Sequence, residues 1–254
     1  MPIDRQHIFE MIREGRTAVL LGGDMPLYQG MKTNVEIISH LARHCNYPRG
    51  FPLSLPEVGE YFSELNGHSQ LVERVIKLVD VVPGDSPLLK MLANVKALSD
   101  IFATTFDECI QEYFPKGDLV VIRCDVDLPR AFSRPRRLYR LNGTITNGKQ
   151  MILTKAALIE QLSIGSKSPL LSHLAYNLTS RQFLIIGHNL REWNFSFYLE
   201  RVTQQLGEFR EKAILFCDNP DPVLVSHWNK KNIEVLEENP LTFLVDYLQW
   251  EAQQ

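Results

Sequence analysis

The stretch TAVLLGG, at residues 17–23, is a short continuous apolar run that ends in two glycines. Such a run is typical of a strand buried on both faces of a parallel sheet, with a tight turn at its carboxyl end. A second stretch of the same kind, RQFLIIGHNL, occupies residues 181–190. Because ligands bind outside the carboxyl ends of the strands in open α/β sheets, we expect both glycine turns to lie at a binding crevice.

Strand and helix patterns alternate along the rest of the chain. Further strands are predicted in DIFATTFDE, LVVIRCDVD, RRLYRLNG, AILFCD, IEVLEE and the first residues of MILTKAALIEQL. Amphipathic helical patterns separate them. The alternation predicts an α/β fold, a doubly wound, mostly parallel (Rossmann-like) sheet with helices on both faces. We expect a single domain over residues 1–254, with a helical insertion subdomain at about residues 48–98.

Composition excludes several classes of protein. With 44% hydrophobic and 22% charged residues, the 254-residue chain has the content of a globular protein and not of a disordered one. No apolar run approaches the length of a membrane-spanning helix, and the first residues lack a signal-peptide pattern, so we expect a cytoplasmic protein without membrane contact. A net charge of -3 gives no general attraction to nucleic acid.

A metal site is not expected from the cysteines or histidines. None of the four cysteines forms a Cys-x-x-Cys pair, and the histidines share no ligand-like spacing with carboxylates. The sequence therefore predicts neither zinc nor another bound metal.

Four loops that follow predicted strands carry glycine or small polar residues. They are Gly22-Gly23-Asp24, Thr104-Thr105-Phe106-Asp107, Asn142-Gly143-Thr144 and Gly187-His188-Asn189. If the strands are parallel neighbours, the loops meet at one edge, where backbone amides and hydroxyls suit a nucleotide. The nucleotide-binding candidates are Gly22, Gly23, Thr104, Asp107, Gly187, His188 and Asn189. The alternative is that these residues only form the turns.

The order of these loops resembles the sirtuin-like domains of bacterial NAD-consuming defence proteins. That family has a Gly-Ala-Gly turn, a Thr-Asn-aromatic-Asp block, a Leu-His-Gly block with an apolar Leu-Thr strand end, and a Gly-Tyr-Ser-Leu-x-Asp block. The corresponding stretches are LLGGD at 20–24, ATTFDECI at 103–110, YRLNGTI at 139–145 with MILTKAAL at 151–158, and LIIGHNLREWNF at 184–195. The resemblance covers nearly the whole chain and implies NAD or a related nucleotide as ligand.

The chain departs from the family at the positions that carry its chemistry. Thr105 stands where the family has the Asn that positions ribose or water, and Asn142 stands where it has the His that acts as general base. A carboxamide cannot take up a proton near pH 7. The first turn carries Asp24, and Glu192 replaces the Asp of the last block. The resemblance with these changes predicts a catalytically degenerate protein.

Three residues are backup candidates for catalysis: Asp107, His188 and Glu192. Asp107 has a structural alternative, since a carboxylate at a strand-to-helix turn can cap the next helix. For His188 we favour a polar surface or loop role over a catalytic one. If these residues do provide catalysis, the alternative function is an active NAD glycohydrolase that releases nicotinamide.

Partner binding is the favoured role of such a degenerate protein. We expect a structural or regulatory component of a bacterial, antiphage defence assembly, with a protein partner or a second copy of the chain. The helical stretch NFSFYLERVTQQL, at 194–206, is apolar on more than one face and fits a subunit interface, with packing in the core as the default alternative. Nucleic acid is expected only through Arg130, Arg134, Arg136 and Arg137, and the same basic run could instead meet an acidic face of a partner. The favoured alternative is a solvated loop in which some of the arginines pair with Asp125 and Asp127.

Overall fold

The computed structural model describes residues 4–164, 168–189 and 212–254. Two features of the sequence, Glu192 and the helical stretch at 194–206, lie outside these residues. Within them, no helix is both long enough and apolar enough to cross a membrane.

Seven strands form one sheet in which every pairing is parallel. They are β1 (Thr17–Leu21), β2 (Asp100–Ala103), β3 (Leu119–Ile122), β4 (Arg136–Arg140), β5 (Gln182–Ile186), β6 (Ala213–Phe216) and β7 (Ile233–Leu236), in the order β3-β4-β2-β1-β5-β6-β7. The predicted α/β class with a Rossmann-like parallel sheet is confirmed. After β1 the chain builds one half of the sheet and then crosses to the other side of β1 with β5. The topological switch point therefore lies between β1 and β5, where such sheets bind ligands.

Nine α-helices are present in the described residues. They are α1 (Arg5–Arg13), α2 (Asn34–His44), α3 (Leu55–Asn66), α4 (His68–Val79), α5 (Pro87–Asn94), α6 (Lys155–Ile164), α7 (Pro169–Ser180), α8 (Pro222–Asn229) and α9 (Pro240–Glu251). Local signals set the ends of α1. Asp4 accepts a hydrogen bond from the backbone N–H of His7, and Gly15 follows the helix with φ of +69°.

Three hydrophobic clusters account for the packing. One face of the sheet packs against α1, α5 and α9, and the other against α6, α7 and α8. The third cluster joins α2, α3 and α4 to Met151 and Leu153. The predicted limits of the insertion, 48–98, do not coincide with this third cluster, since α5 packs on the sheet and α2 precedes the segment.

The predicted strand at the start of MILTKAALIEQL is wrong. Residues 151–154 form no strand, and Ile152 donates a backbone hydrogen bond to the carbonyl oxygen of Asn142 at 2.9 Å. Met151 and Leu153 are buried in the third cluster. Alternating apolar residues here anchor a connecting segment and do not form a strand.

Candidate functional site

The turns after β1 and β5 are in direct contact through their backbones, at a point that we call the crossing. The N–H of Gly22 donates to the carbonyl oxygen of Ile186 at 2.8 Å, and the N–H of Asp24 donates to that of Gly187 at 2.8 Å. A Cβ atom on Gly22 would lie 2.4 Å from the oxygen of Gly187, which itself has φ of +75°. Glycine is therefore required at both positions by the crossing itself.

Asp24 connects three segments around this crossing. Its Oδ1 accepts a hydrogen bond from the side-chain amide of Asn34 at 3.0 Å, and its Oδ2 accepts one from the N–H of Asn189 at 2.8 Å. Asn34, the first residue of α2, also donates its N–H to the backbone oxygen of Gly23. Asp24 thus fixes the first turn against α2 and against the loop after β5. The sequence analysis missed Asn34, because nothing in its local pattern indicates a partner ten residues away.

A cavity of about 400 Å³ opens beside the crossing, between the loops that follow β1, β5, β6 and β7. Among its walls are the predicted residues Gly187, His188 and Asn189, together with Asp24. The opposite wall comes from segments that the sequence analysis did not select, namely Cys217, Asp218, Asn219, Asp221, Leu224, Glu238 and Asn239. The sequence feature that could have identified this wall is CDNPD, a polar loop directly after the apolar strand AILF.

The described walls of the cavity are acidic. They include the carboxylates of Asp24, Asp218, Asp221 and Glu238, and no lysine or arginine of the described chain lines them. Three of these carboxylates also make structural contacts, and those of Asp24 are described above. Glu238 forms an ion pair of 2.8 Å with Arg5, and Asp221 caps α8 by accepting from the N–H of Val223. Hydrogen-bond acceptors therefore dominate this side of the crevice.

His188 is buried at the crossing, with only 5% of its surface exposed. Burial lowers the pKa of His188 to about 4, although the nearby carboxylate of Asp24 acts in the opposite direction. The imidazole is therefore neutral at pH 7. The residue does lie in a loop, but the predicted surface position of its side chain is wrong, because the ring packs over Gly22.

A second group of candidates forms a closed network on the β2 and β4 side of the same edge. Arg140 donates to the hydroxyl oxygen of Thr105 at 3.1 Å and to the backbone oxygen of Asp107. The guanidinium of Arg140 also lies 3.7 Å from the Asp107 carboxylate. Asp107 accepts from the N–H of Cys109 at 2.8 Å, which fixes the turn before the 3-10 helix Ile110–Tyr113 but does not cap that helix. Thr105, Asp107 and Arg140 are all buried.

Asn142 completes this network. Its side-chain amide donates to the backbone oxygen of Thr104 at 3.1 Å, and the Thr104 hydroxyl donates to the backbone oxygen of Leu21. The four predicted loops therefore do meet at one edge, but they divide into two groups. Asp24, Gly187, His188 and Asn189 line the cavity, whereas Thr105, Asp107 and Asn142 are bonded within the protein.

The basic run at 130–140 is also divided. Arg136, Arg137 and Arg140 belong to the interior strand β4, and Arg136 is only 1% exposed. Their carboxylate partners are Asp118, Asp100 and Asp107. The predicted pairing with Asp125 and Asp127 is wrong, and Arg136 is not available to a nucleic acid. Among the described residues, no group of three His, Cys, Asp or Glu side chains could hold a metal ion.

Comparison with known proteins adds two findings. A family model described as a SIR2-like domain matches residues 99–236. The chain is also 23% identical over 204 residues to a protein of Acinetobacter baumannii (strain 532279) named NAD(+) hydrolase ThsA. The alignment covers 79% of this chain and 41% of that relative. The matched region therefore spans less than half of the relative's length.

Proposed function

The chain belongs to the SIR2-like family, and from that premise we propose that it is a catalytically degenerate sirtuin-like domain. It binds NAD or a related nucleotide in the cavity and serves as a structural or regulatory component of a bacterial defence assembly. The observation that carries this proposal is the division of the crevice. An open cavity lies on one side, and the positions at which the family has its catalytic residues are bonded internally on the other.

The internal bonds support the loss of catalysis. A general base must reach the proton it removes and must hold that proton near neutral pH. Asn142 cannot do so, and its amide is already engaged with Thr104. The Thr105 hydroxyl and the Asp107 carboxylate both face the Arg140 guanidinium in a buried environment. Each of the three side chains therefore already has a partner within the protein.

The size and position of the cavity, and not the charge of its walls, support nucleotide binding. Its volume of about 400 Å³ lies within the range of about 300–1,000 Å³ usual for small-ligand sites. It adjoins the switch point of the sheet, and Asp218 lies in the loop directly after β6. A carboxylate after a parallel strand can accept hydrogen bonds from ribose hydroxyls. Glycine turns allow a ligand to approach the backbone closely.

Filling the cavity tests this proposal. NAD at millimolar concentration is expected to raise the melting temperature of the wild type, because a ligand that binds only the folded state stabilises it. In Leu224→Trp, where the larger side chain enters the cavity, the shift should disappear. Val223→Trp is the matched control, since Val223 is the neighbouring residue of α8, is 76% exposed and does not line the cavity.

In that experiment the control keeps the wild-type shift. An equal shift in Leu224→Trp would place NAD elsewhere, and no shift in the wild type would remove nucleotide binding from the proposal. The defence setting rests on the resemblance described above and on the bacterial origin of the matched relative.

NAD hydrolysis is the second candidate, and the name of the matched relative favours it. It would require Asp107, His188 or Glu192 to supply the catalyst. The buried contacts of Asp107 and the low pKa of His188, about 4, argue against the first two. An active enzyme would release nicotinamide and would lose turnover in His188→Ala. In Asp107→Ala, loss of the partner of Arg140 would also destabilise the fold.

A further inference from the structure

Six arginines lie between residues 123 and 140, and four of them pair with a carboxylate. The pairs are Arg123 with Glu108 at 2.7 Å, Arg136 with Asp118 at 3.4 Å, Arg137 with Asp100 at 2.7 Å, and Arg140 with Asp107 at 3.7 Å. Arg136, Arg137 and Arg140 lie in the interior strand β4, and Arg123 directly follows β3. The charge of these four residues is therefore compensated within the protein.

The other two, Arg130 and Arg134, are exposed. Within the described ranges neither forms an ion pair, although two carboxylates lie close in sequence. Asp125 accepts hydrogen bonds from the Ser168 hydroxyl and the N–H of Leu170 at the start of α7. Asp127 accepts one from the N–H of Arg123. The acidic side chains near this segment are thus engaged elsewhere, and two positive charges face solvent.

Two exposed apolar side chains accompany these charges. Phe132 is 82% exposed and Val126 is 85% exposed. Both lie on the 3-10 segment Asp125–Ser133, which the buried Ala131 and the bonds of Asp125 and Asp127 hold in place. We call Val126, Arg130, Phe132 and Arg134 the basic-aromatic turn. The turn follows β3, at the opposite edge of the sheet from β7.

We propose that the basic-aromatic turn is a docking site for an acidic segment of a partner protein, anchored by an apolar side chain on Phe132 and Val126. Arginine and aromatic residues are the types enriched among the dominant contacts of protein interfaces. The turn is also fixed before binding, which lowers the entropy cost of association. This inference rests on the proposed role as a component of an assembly and gives the chemistry of the partner.

Charge favours an acidic protein segment over a nucleic acid. The uncompensated guanidinium groups number two, so a nucleic acid would release only about two counterions and gain little affinity. A short acidic segment needs only a few charges to pair with the two arginines, and an apolar residue of the segment can pack against the exposed ring of Phe132.

Selection from random peptides tests the proposal without assuming a sequence. Twelve-residue peptides displayed on phage are selected on the whole chain and counter-selected on Arg130→Glu/Arg134→Glu. The enriched peptides should combine aspartate or glutamate with an apolar residue. By fluorescence anisotropy, an enriched peptide should bind the double variant and Phe132→Ser at least about tenfold more weakly than the wild type.

The matched control is Arg43→Glu/Arg49→Glu, which changes the net charge equally at exposed sites elsewhere and should keep wild-type affinity. The proposal is overturned if no peptide is enriched, if the enriched peptides are not acidic, or if the double variant binds them equally. Tighter binding of a twelve-nucleotide oligothymidine at this turn, or self-association lost in the double variant, would also overturn it. The NAD-induced thermal shift of the same variants reports separately on the cavity.

Discussion

At His188, burial and a nearby carboxylate act on the same imidazole in opposite directions, and burial has the larger effect. It lowers the pKa of His188 to about 4 in the folded protein, against about 6.5 in an unfolded chain. Between these two values the unfolded chain binds more protons than the folded one. The contribution of His188 to stability is therefore present above pH 6.5 and is lost as the pH falls toward 4.

This shift predicts a pH dependence of stability. Between pH 7.5 and pH 5, the wild type should lose about 2 kcal/mol more of its free energy of unfolding than His188→Gln, which does not titrate. Urea titrations at the two pH values measure this difference, and the other titrating groups cancel in the comparison. Equal losses in both proteins would show that His188 is not held neutral by burial.

At the level of elements, the crossing of the turns after β1 and β5 determines where the cavity begins. The backbone of Gly22 touches that of Gly187, and Asp24 connects the same turn to Asn189. The two strands that lead to this crossing, β1 and β5, pair along their whole length, from Thr17 opposite Gln182 to Leu21 opposite Ile186. The walls of the cavity therefore depend on two turns that cannot separate without breaking the central pairing of the sheet.

Gly22→Ala tests the role of the crossing. The added Cβ would lie 2.4 Å from the oxygen of Gly187 and 2.7 Å from the His188 ring, so we expect a loss of about 1–3 kcal/mol in stability together with a loss of the NAD-induced thermal shift. Gly50→Ala is the control, because its Cβ would meet no atom within 4 Å and only its φ of +88° is unfavourable. That variant should lose some stability but keep the shift. A normal shift in Gly22→Ala would contradict this role.

At the scale of the whole molecule, the fold follows from local patterns, but the site depends on contacts between distant segments. Apolar runs with glycine ends are sufficient to predict β1, β5 and the parallel sheet. The far wall of the cavity, from Asp218 to Glu238, follows only from the strand order β5-β6-β7. The partners of the β4 arginines are equally non-local, since Arg137 meets Asp100 across 37 residues. The basic run at 130–140 therefore does not by itself indicate that three of its arginines lie in an interior strand.

The crevice as a whole combines an open nucleotide-sized cavity with an internally bonded set of family positions. The buried pair of Arg140 and Asp107 belongs to this internally bonded set. Removing one partner leaves the other charge buried and unpaired, which typically costs about 3–5 kcal/mol. The central proposal is that the domain has lost catalysis and has kept the cavity.

Overnight incubation of the purified chain with NAD, with chromatography for free nicotinamide, tests that claim most directly. We predict no nicotinamide above a buffer control, together with a rise in melting temperature when NAD is added to the same sample. Release of nicotinamide above that control would contradict the degenerate assignment, and its loss in His188→Ala, which leaves the Arg140 and Asp107 pair intact, would identify the chain as a working NAD hydrolase.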